Sequence, residues 1–308
     1  MLSIIFVLYI KKNRMKHINK RIGFILAPLP KECVEFIKTQ NMIDSSKSKY
    51  LIMNLSQEKF YLKNGIEVII LKYNLNNKQL NNILKTLDGI FIDGNFAGDN
   101  WYKEKDSQHI EHFNFLKKVY EKVLNINKNS RPFFLGGQCY SQELIAKILE
   151  NQSYSDNKLV KKVVSDNVNI FKKSTTFYDR NYYIENKSSF NLNMGVFLED
   201  FKKTKNLQKK FKVISVYNLY NKEILDIIKH KKYPIFFSKS ACYRNNYNII
   251  KEMFEIIEIS NYYRRHFMNK KVVIPNLNYE KIFIDKKILN NFNWPFPGDV
   301  NSINILKL

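Results

Sequence analysis

Apolar positions along this chain fall into short runs separated by amphipathic stretches. Arg21 to Pro28 (RIGFILAP) is a compact apolar run bounded by proline and predicts a first buried strand. Ser48 to Asn64 carries apolar residues at mixed helical spacing, which predicts a crossover helix stopped by Gly65. Ile66 to Leu71 (IEVIIL) follows as a second strand. Asn76 to Leu87 places Leu80, Ile83, Leu84 and Leu87 on one helical face. Asp88 and Gly89 then turn the chain into Ile90-Phe91-Ile92, a third strand ending at Asp93-Gly94-Asn95. A long amphipathic helix is expected from Asp106 to Leu124, then a strand at Phe133 to Leu135, then a helix reaching Glu150.

Strands alternating with helices this regularly argue for right-handed βαβ units. The fold class that follows is α/β, a three-layer sandwich with a mostly parallel central sheet flanked by helices. Ligands of such sheets bind beyond the carboxyl ends of the strands. Gly94 and Cys139 are both predicted just past such ends, so the two converge. Residues 151–212 are less regular: Lys158 to Phe171 and Thr175 to Ile184 read as strands or surface hairpins, and Gly195 to Phe211 as helical. Phe211 to Tyr217 and Tyr233 to Phe237 return to short strands, and Asn248 to Phe267 is a strongly periodic helix. This divides the chain into an N-terminal apolar and basic segment (1–20), an α/β domain (21–268) and a C-terminal extension packed on it (269–308).

Charge adds one question. Lys and Arg total 51 against 28 Asp and Glu, a net charge of +23, which suits a polyanionic partner. The lysines are nevertheless spread along a chain saturated with Lys, Asn, Ile, Tyr and Phe, as an AT-rich coding sequence would produce. With no basic block and no nucleic-acid-binding signature, nucleic acid is not expected as a partner. Three cysteines without a CxxC pair, and five scattered histidines, make neither a disulfide framework nor a metal-ligand spacing, so no metal or cofactor is expected. Leu2 to Ile10 is apolar but far short of the roughly 20 residues that span a bilayer, so no transmembrane span is expected. The segment leaves localisation open: cytoplasmic if translation starts at Met15, secretory or vacuolar if it is a signal peptide.

The candidate chemistry lies in Arg131 to Leu144, RPFFLGGQCYSQEL. An apolar strand, a glycine-rich turn, a cysteine and a helix start are what a nucleophile elbow looks like in sequence. A thiol there would face backbone N–H groups and the positive end of the helix dipole, both favouring thiolate. The bland reading is a structural cysteine at the end of a core strand.

Taken in order, RIGFILAP, EVIIL, LDGIFIDGN, PFFLGGQCYSQEL and KKYPIFFSKS resemble the γ-glutamyl hydrolases. These are class I glutamine-amidotransferase-like cysteine hydrolases that trim poly-γ-glutamate tails from folates. The resemblance covers residues 20 to 268 and implies a glutamine-amidotransferase-like (flavodoxin-like) fold, no cofactor, and a γ-glutamyl small molecule or peptide as partner, with a homo-oligomer left open. Cys139 falls on the family's nucleophile. Gly94 and Asn95 fall on the Gly-Gly pair that helps form the oxyanion hole, and the backbone N–H of Tyr140 supplies its second donor. Ser141 stands where the family's turn has a second glycine.

The resemblance fails after YPIFF. Where the family has Trp-His-Pro-Glu, this chain reads Ser240-Ala241-Cys242-Tyr243, so Ala241 takes the place of the base and Tyr243 that of its orienting carboxylate. A second family histidine aligns loosely with Asn186. Ala241 can neither hold a thiolate nor protonate a leaving amine. The reading this favours is a catalytically impaired or inactive homologue binding a γ-glutamyl, folate-polyglutamate-like ligand or a protein partner. The alternative is an active cysteine hydrolase of γ-glutamyl bonds with a rewired base, His109 being the substitute. A basic scaffold on the same fold is a third, weaker reading.

Overall fold

The computed structural model of the chain describes residues 20–29, 31–43, 50–94, 107–156, 158–163, 169–170, 175–179, 190–191, 194–219, 221–239, 247–268, 280–285 and 302–307. Its centre is a sheet whose parallel half is built from β1 (Lys20–Ile25), β3 (Ile66–Ile70), β4 (Gly89–Ile92), β5 (Phe134–Gln138) and β13 (Ile235–Ser238). The order runs β3-β1-β4-β5-β13, every neighbouring pair parallel. Antiparallel β12 (Lys222–His230), β11 (Phe211–Leu219) and β8 (Thr175–Phe177) complete eight strands. The expected mostly parallel α/β sandwich is therefore what the chain forms.

Near-continuous apolar runs make the parallel strands, because both faces of the sheet are covered. On one face α2 (Leu55–Lys63) and α8 (Tyr247–Phe267) pack together, Phe60 stacking on Phe254 at 5.7 Å and the Tyr61 hydroxyl 3.5 Å from the Met253 sulfur. The crossovers carry α3 (Asn77–Thr86), α4 (Ser107–Asn129) and α5 (Tyr140–Leu149) to the other face. Asn76 opens α3 with a complete capping box, its side chain accepting from Gln79 N–H while Gln79 Oε1 accepts from Asn76 N–H. Leu80, Ile83, Leu84 and Leu87 are buried, as their spacing predicts.

Three expectations need correction. The segment read as a helix over Ser48 to Asn64 begins with a strand, β2 (Tyr50–Asn54), and only then becomes α2. β2 pairs with β15 (Ser302–Lys307), which pairs with β14 (Glu280–Asp285) in a separate three-stranded sheet. Leu306 is fully buried in the main core, so this part of the tail is woven into the molecule. Secondly, Gly195 to Phe211 is not one helix. It opens within β10 (Met194–Val196), which pairs with β6 (Val160–Lys162), and continues as α6 (Leu198–Lys203) and α7 (Leu207–Lys210). The break is fixed by the Glu150 carboxylate, which accepts the N–H groups of Lys205, Asn206 and Leu207 at 3.2, 2.8 and 2.6 Å. Thirdly, β12 was not expected. Its buried Asp226 disguises it, and there the Ser215 hydroxyl donates to the carboxylate at 2.7 Å.

Candidate functional site

The site is built where β4, β5 and β13 end side by side. β5 runs through Gly136 and Gly137 to Gln138, and α5 starts at Tyr140, so Cys139 alone must turn the chain from strand to helix. It does so at φ 52°, ψ −119°, a conformation that L residues rarely adopt and that persists only where the surroundings enforce it. Three bonds do so. Cys139 N–H donates to the Ser238 carbonyl at 2.7 Å, the Cys139 carbonyl accepts from Gln142 N–H at 3.1 Å, and the Ser141 hydroxyl donates to the Gln138 carbonyl at 2.8 Å. Ser141 occupies the space a side chain at position 137 would need, so the serine packed there holds position 137 to glycine.

Gly94, at the end of β4, touches the elbow directly: a Cβ there would overlap the Gln138 carbonyl and the Cβ of Cys139. On the other side, Tyr140 N–H hydrogen-bonds the Cys139 sulfur. Cys139, Gly94 and Tyr140 thus lie together at one strand-to-helix turn. Asn95, Ala241, Tyr243 and Asn186 lie outside the described residues. His109 is on α4, fully buried with its ring 6.0 Å from that of Tyr154. His230 lies at the amino end of the neighbouring β13, where its Nδ1 accepts from the N–H groups of Lys232 and Tyr233.

Three charged groups that sequence reasoning does not single out surround the thiol. Lys239 immediately follows β13, and its ammonium forms a short, buried ion pair with Glu143, which lies one helical turn beyond Cys139. Lys239 N–H also donates to the Asp226 carbonyl at 2.6 Å. Asp93 precedes Gly94 and is buried, accepting from Gln138 Nε2 at 2.9 Å. With its amide turned to donate, Gln57 on α2 reaches the same carboxyl at 2.9 Å. The signal for Glu143 was its spacing of four from the cysteine, and for Lys239 its place at a strand's carboxyl end.

These neighbours decide the protonation states. Cys139 is half-buried, and loss of solvent around it pushes the thiol above its ordinary value; the Lys239 ammonium pulls it down, Glu143 pushes it up, the Tyr140 N–H pulls it down, and Asp93 pushes it up. Burial likewise lifts Asp93 to about 7, against the hydrogen bonds from Gln138 and Gly94 that favour its ionised form. For Lys239 burial acts downward, but Glu143 and Cys139 outweigh it and the ammonium is held more firmly than usual. The arrangement thus has a strained elbow, an N–H donor aimed at the sulfur and a thiol that stays protonated near neutrality.

No known family matches the chain, and no curated protein matches it. Among solved structures it is similar to a Thermoplasma acidophilum protein described as one of the subunits of a GMP synthase, with 12% identity and a TM-score of 0.46 over 81% of this chain and 98% of that one. The sheet order and the strained strand-to-helix turn are those of a mostly parallel α/β sandwich. No helix among the described residues is long and apolar enough to cross a membrane.

Proposed function

We propose that this chain is a catalytically impaired or inactive relative of the γ-glutamyl hydrolases that retains a binding site for a γ-glutamyl compound at the elbow. The observation that carries this reading is the state of Cys139. A hydrolytic cysteine needs a thiolate and a proton donor for the leaving amine. Here the thiol is raised by burial, and its cationic neighbour is an ammonium already committed to Glu143. Ala241, at the position of the base, supplies neither group. Release of glutamate from a γ-linked diglutamate peptide tests the chemistry: the wild-type rate should equal that of Cys139→Ala. Hydrolysis that vanishes in Cys139→Ala would overturn the reading. Retained binding predicts that calorimetry detects association of the same peptide.

The alternative of an active hydrolase with a rewired base draws on one specific observation. Asp93 titrates near 7, where a general base works best, and acts electrostatically on the thiol. Under that reading Asp93→Asn abolishes turnover, whereas His109→Gln abolishes it only if the substitute base is His109.

A further inference from the structure

Cys139 and Lys239 are set side by side by the backbone itself. The bond from Cys139 N–H to the Ser238 carbonyl joins the ends of β5 and β13 one residue before Lys239, and Lys239 N–H is fixed in turn to Asp226 on β12. Glu143 approaches the same ammonium from α5, one turn beyond the cysteine. Side chains of Lys239 and Glu143 are 6% and 1% exposed, so their charges are not dissipated in solvent. Other charged or titratable groups here are Asp93 at the end of β4, Tyr140 on α5, and Lys147, one turn past Glu143. Asp226 on β12 has its carboxylate bonded to Ser215.

We propose that Lys239 is the charge partner of Cys139, a positioning residue, and that Glu143 holds it in check. With Glu143 ionised the ammonium is committed to a carboxylate and the sulfur keeps its proton. With Glu143 neutralised, a buried ammonium needs another anion, and the adjacent thiolate is the available one. The thiol then releases its proton to solvent while Lys239 keeps its own. The electrostatic influence of Lys239 on the thiol, opposed by Glu143, runs in the same direction. This inference rests on Cys139 being the nucleophile position but not on any turnover.

Alkylation of Cys139 by iodoacetamide as a function of pH, read peptide by peptide by mass spectrometry, is the test. Glu143→Gln should lower the labelling midpoint by about one pH unit and speed labelling at pH 7 several-fold, the gain in thiolate exceeding its lost nucleophilicity. Lys239→Met should raise the midpoint above wild type. Should Lys239→Met not fold, because it strands a buried carboxylate, the double variant Glu143→Gln/Lys239→Met serves instead. Its midpoint must lie above that of Glu143→Gln alone. An unchanged or higher midpoint in folded Glu143→Gln overturns the proposal, and so does a double variant that labels like Glu143→Gln. Since the readout is alkylation, it can fail while the γ-glutamyl reading stands, and the reverse.

Discussion

Cys139 joins a strained backbone to a nucleophilic side chain at the head of α5. A residue held in such a conformation costs about 1–3 kcal/mol, a cost glycine largely escapes. Cys139→Gly should therefore be more stable than Cys139→Ala by about 1 kcal/mol in urea unfolding, and equal stabilities would mean the elbow is relaxed. Gly94→Ala should do the reverse, because its Cβ has nowhere to go between the Gln138 carbonyl and Cys139. Overpacking of that kind costs about 1–3 kcal/mol and would displace the elbow. Buried titratable groups add a pH signature. His112 on α4 is pushed down to about 3, by burial first and by the neighbouring His109 second. The unfolded imidazole takes up a proton near 6.5, so this contribution is complete above that value and drains away as pH falls toward 3. Asp93 acts oppositely: its contribution is complete below 3.8 and is lost as pH rises through about 7. The two windows overlap between 3.8 and 6.5 and oppose each other, so over that range urea midpoints should fall with rising pH in His112→Phe and rise with it in Asp93→Asn.

Among the elements, the loop entering β4 holds the strongest polar node. The Asp88 carboxylate is fully buried and accepts from Arg21 N–H at 2.9 Å, from Asn261 Nδ2 at 3.0 Å, and from Arg264 Nε and Nη2 at 2.7 and 3.0 Å. Arg131, ahead of β5, donates to the Leu84 and Leu87 carbonyls and to Ser260. Together they lock α8 to the amino ends of β1, β4 and β5. Asp88→Ala should cost about 3–5 kcal/mol, since it strands Arg264 rather than merely deleting a bond; a loss under 1 kcal/mol in thermal unfolding would deny the node that role. Elements with local signals were legible in the sequence. Asn76 and Gln79 announce α3, and Gly65 ends α2 at φ 69°. Elements defined by distant partners were not. β2 reads as helix until β15, some 250 positions away, supplies its hydrogen bonds. β12 is interrupted by Asp226, acceptable only because Ser215 meets it.

At the scale of the molecule, the parallel half of the sheet and its carboxyl edge were readable because strand, turn and helix each follow from adjacent residues. The site was only half readable: Cys139, Gly94 and Tyr140 lie on two such turns, whereas Lys239, Glu143 and Asp93 gain meaning only when three strand ends meet. The tail was underestimated for the same reason. Cutting the chain after residue 268 removes β14 and β15, unpairs β2 and deletes Leu306 from the core, so the truncated protein should melt several degrees lower or precipitate. Unchanged melting would return the tail to the status of an appendage. Above all, the whole arrangement places a strained strand-to-helix turn around a thiol that keeps its proton. The pH dependence of Cys139 alkylation in the wild-type protein tests that most directly. A midpoint above the ordinary thiol value of about 8.5 is the result this account predicts, and a midpoint below 7 would contradict it.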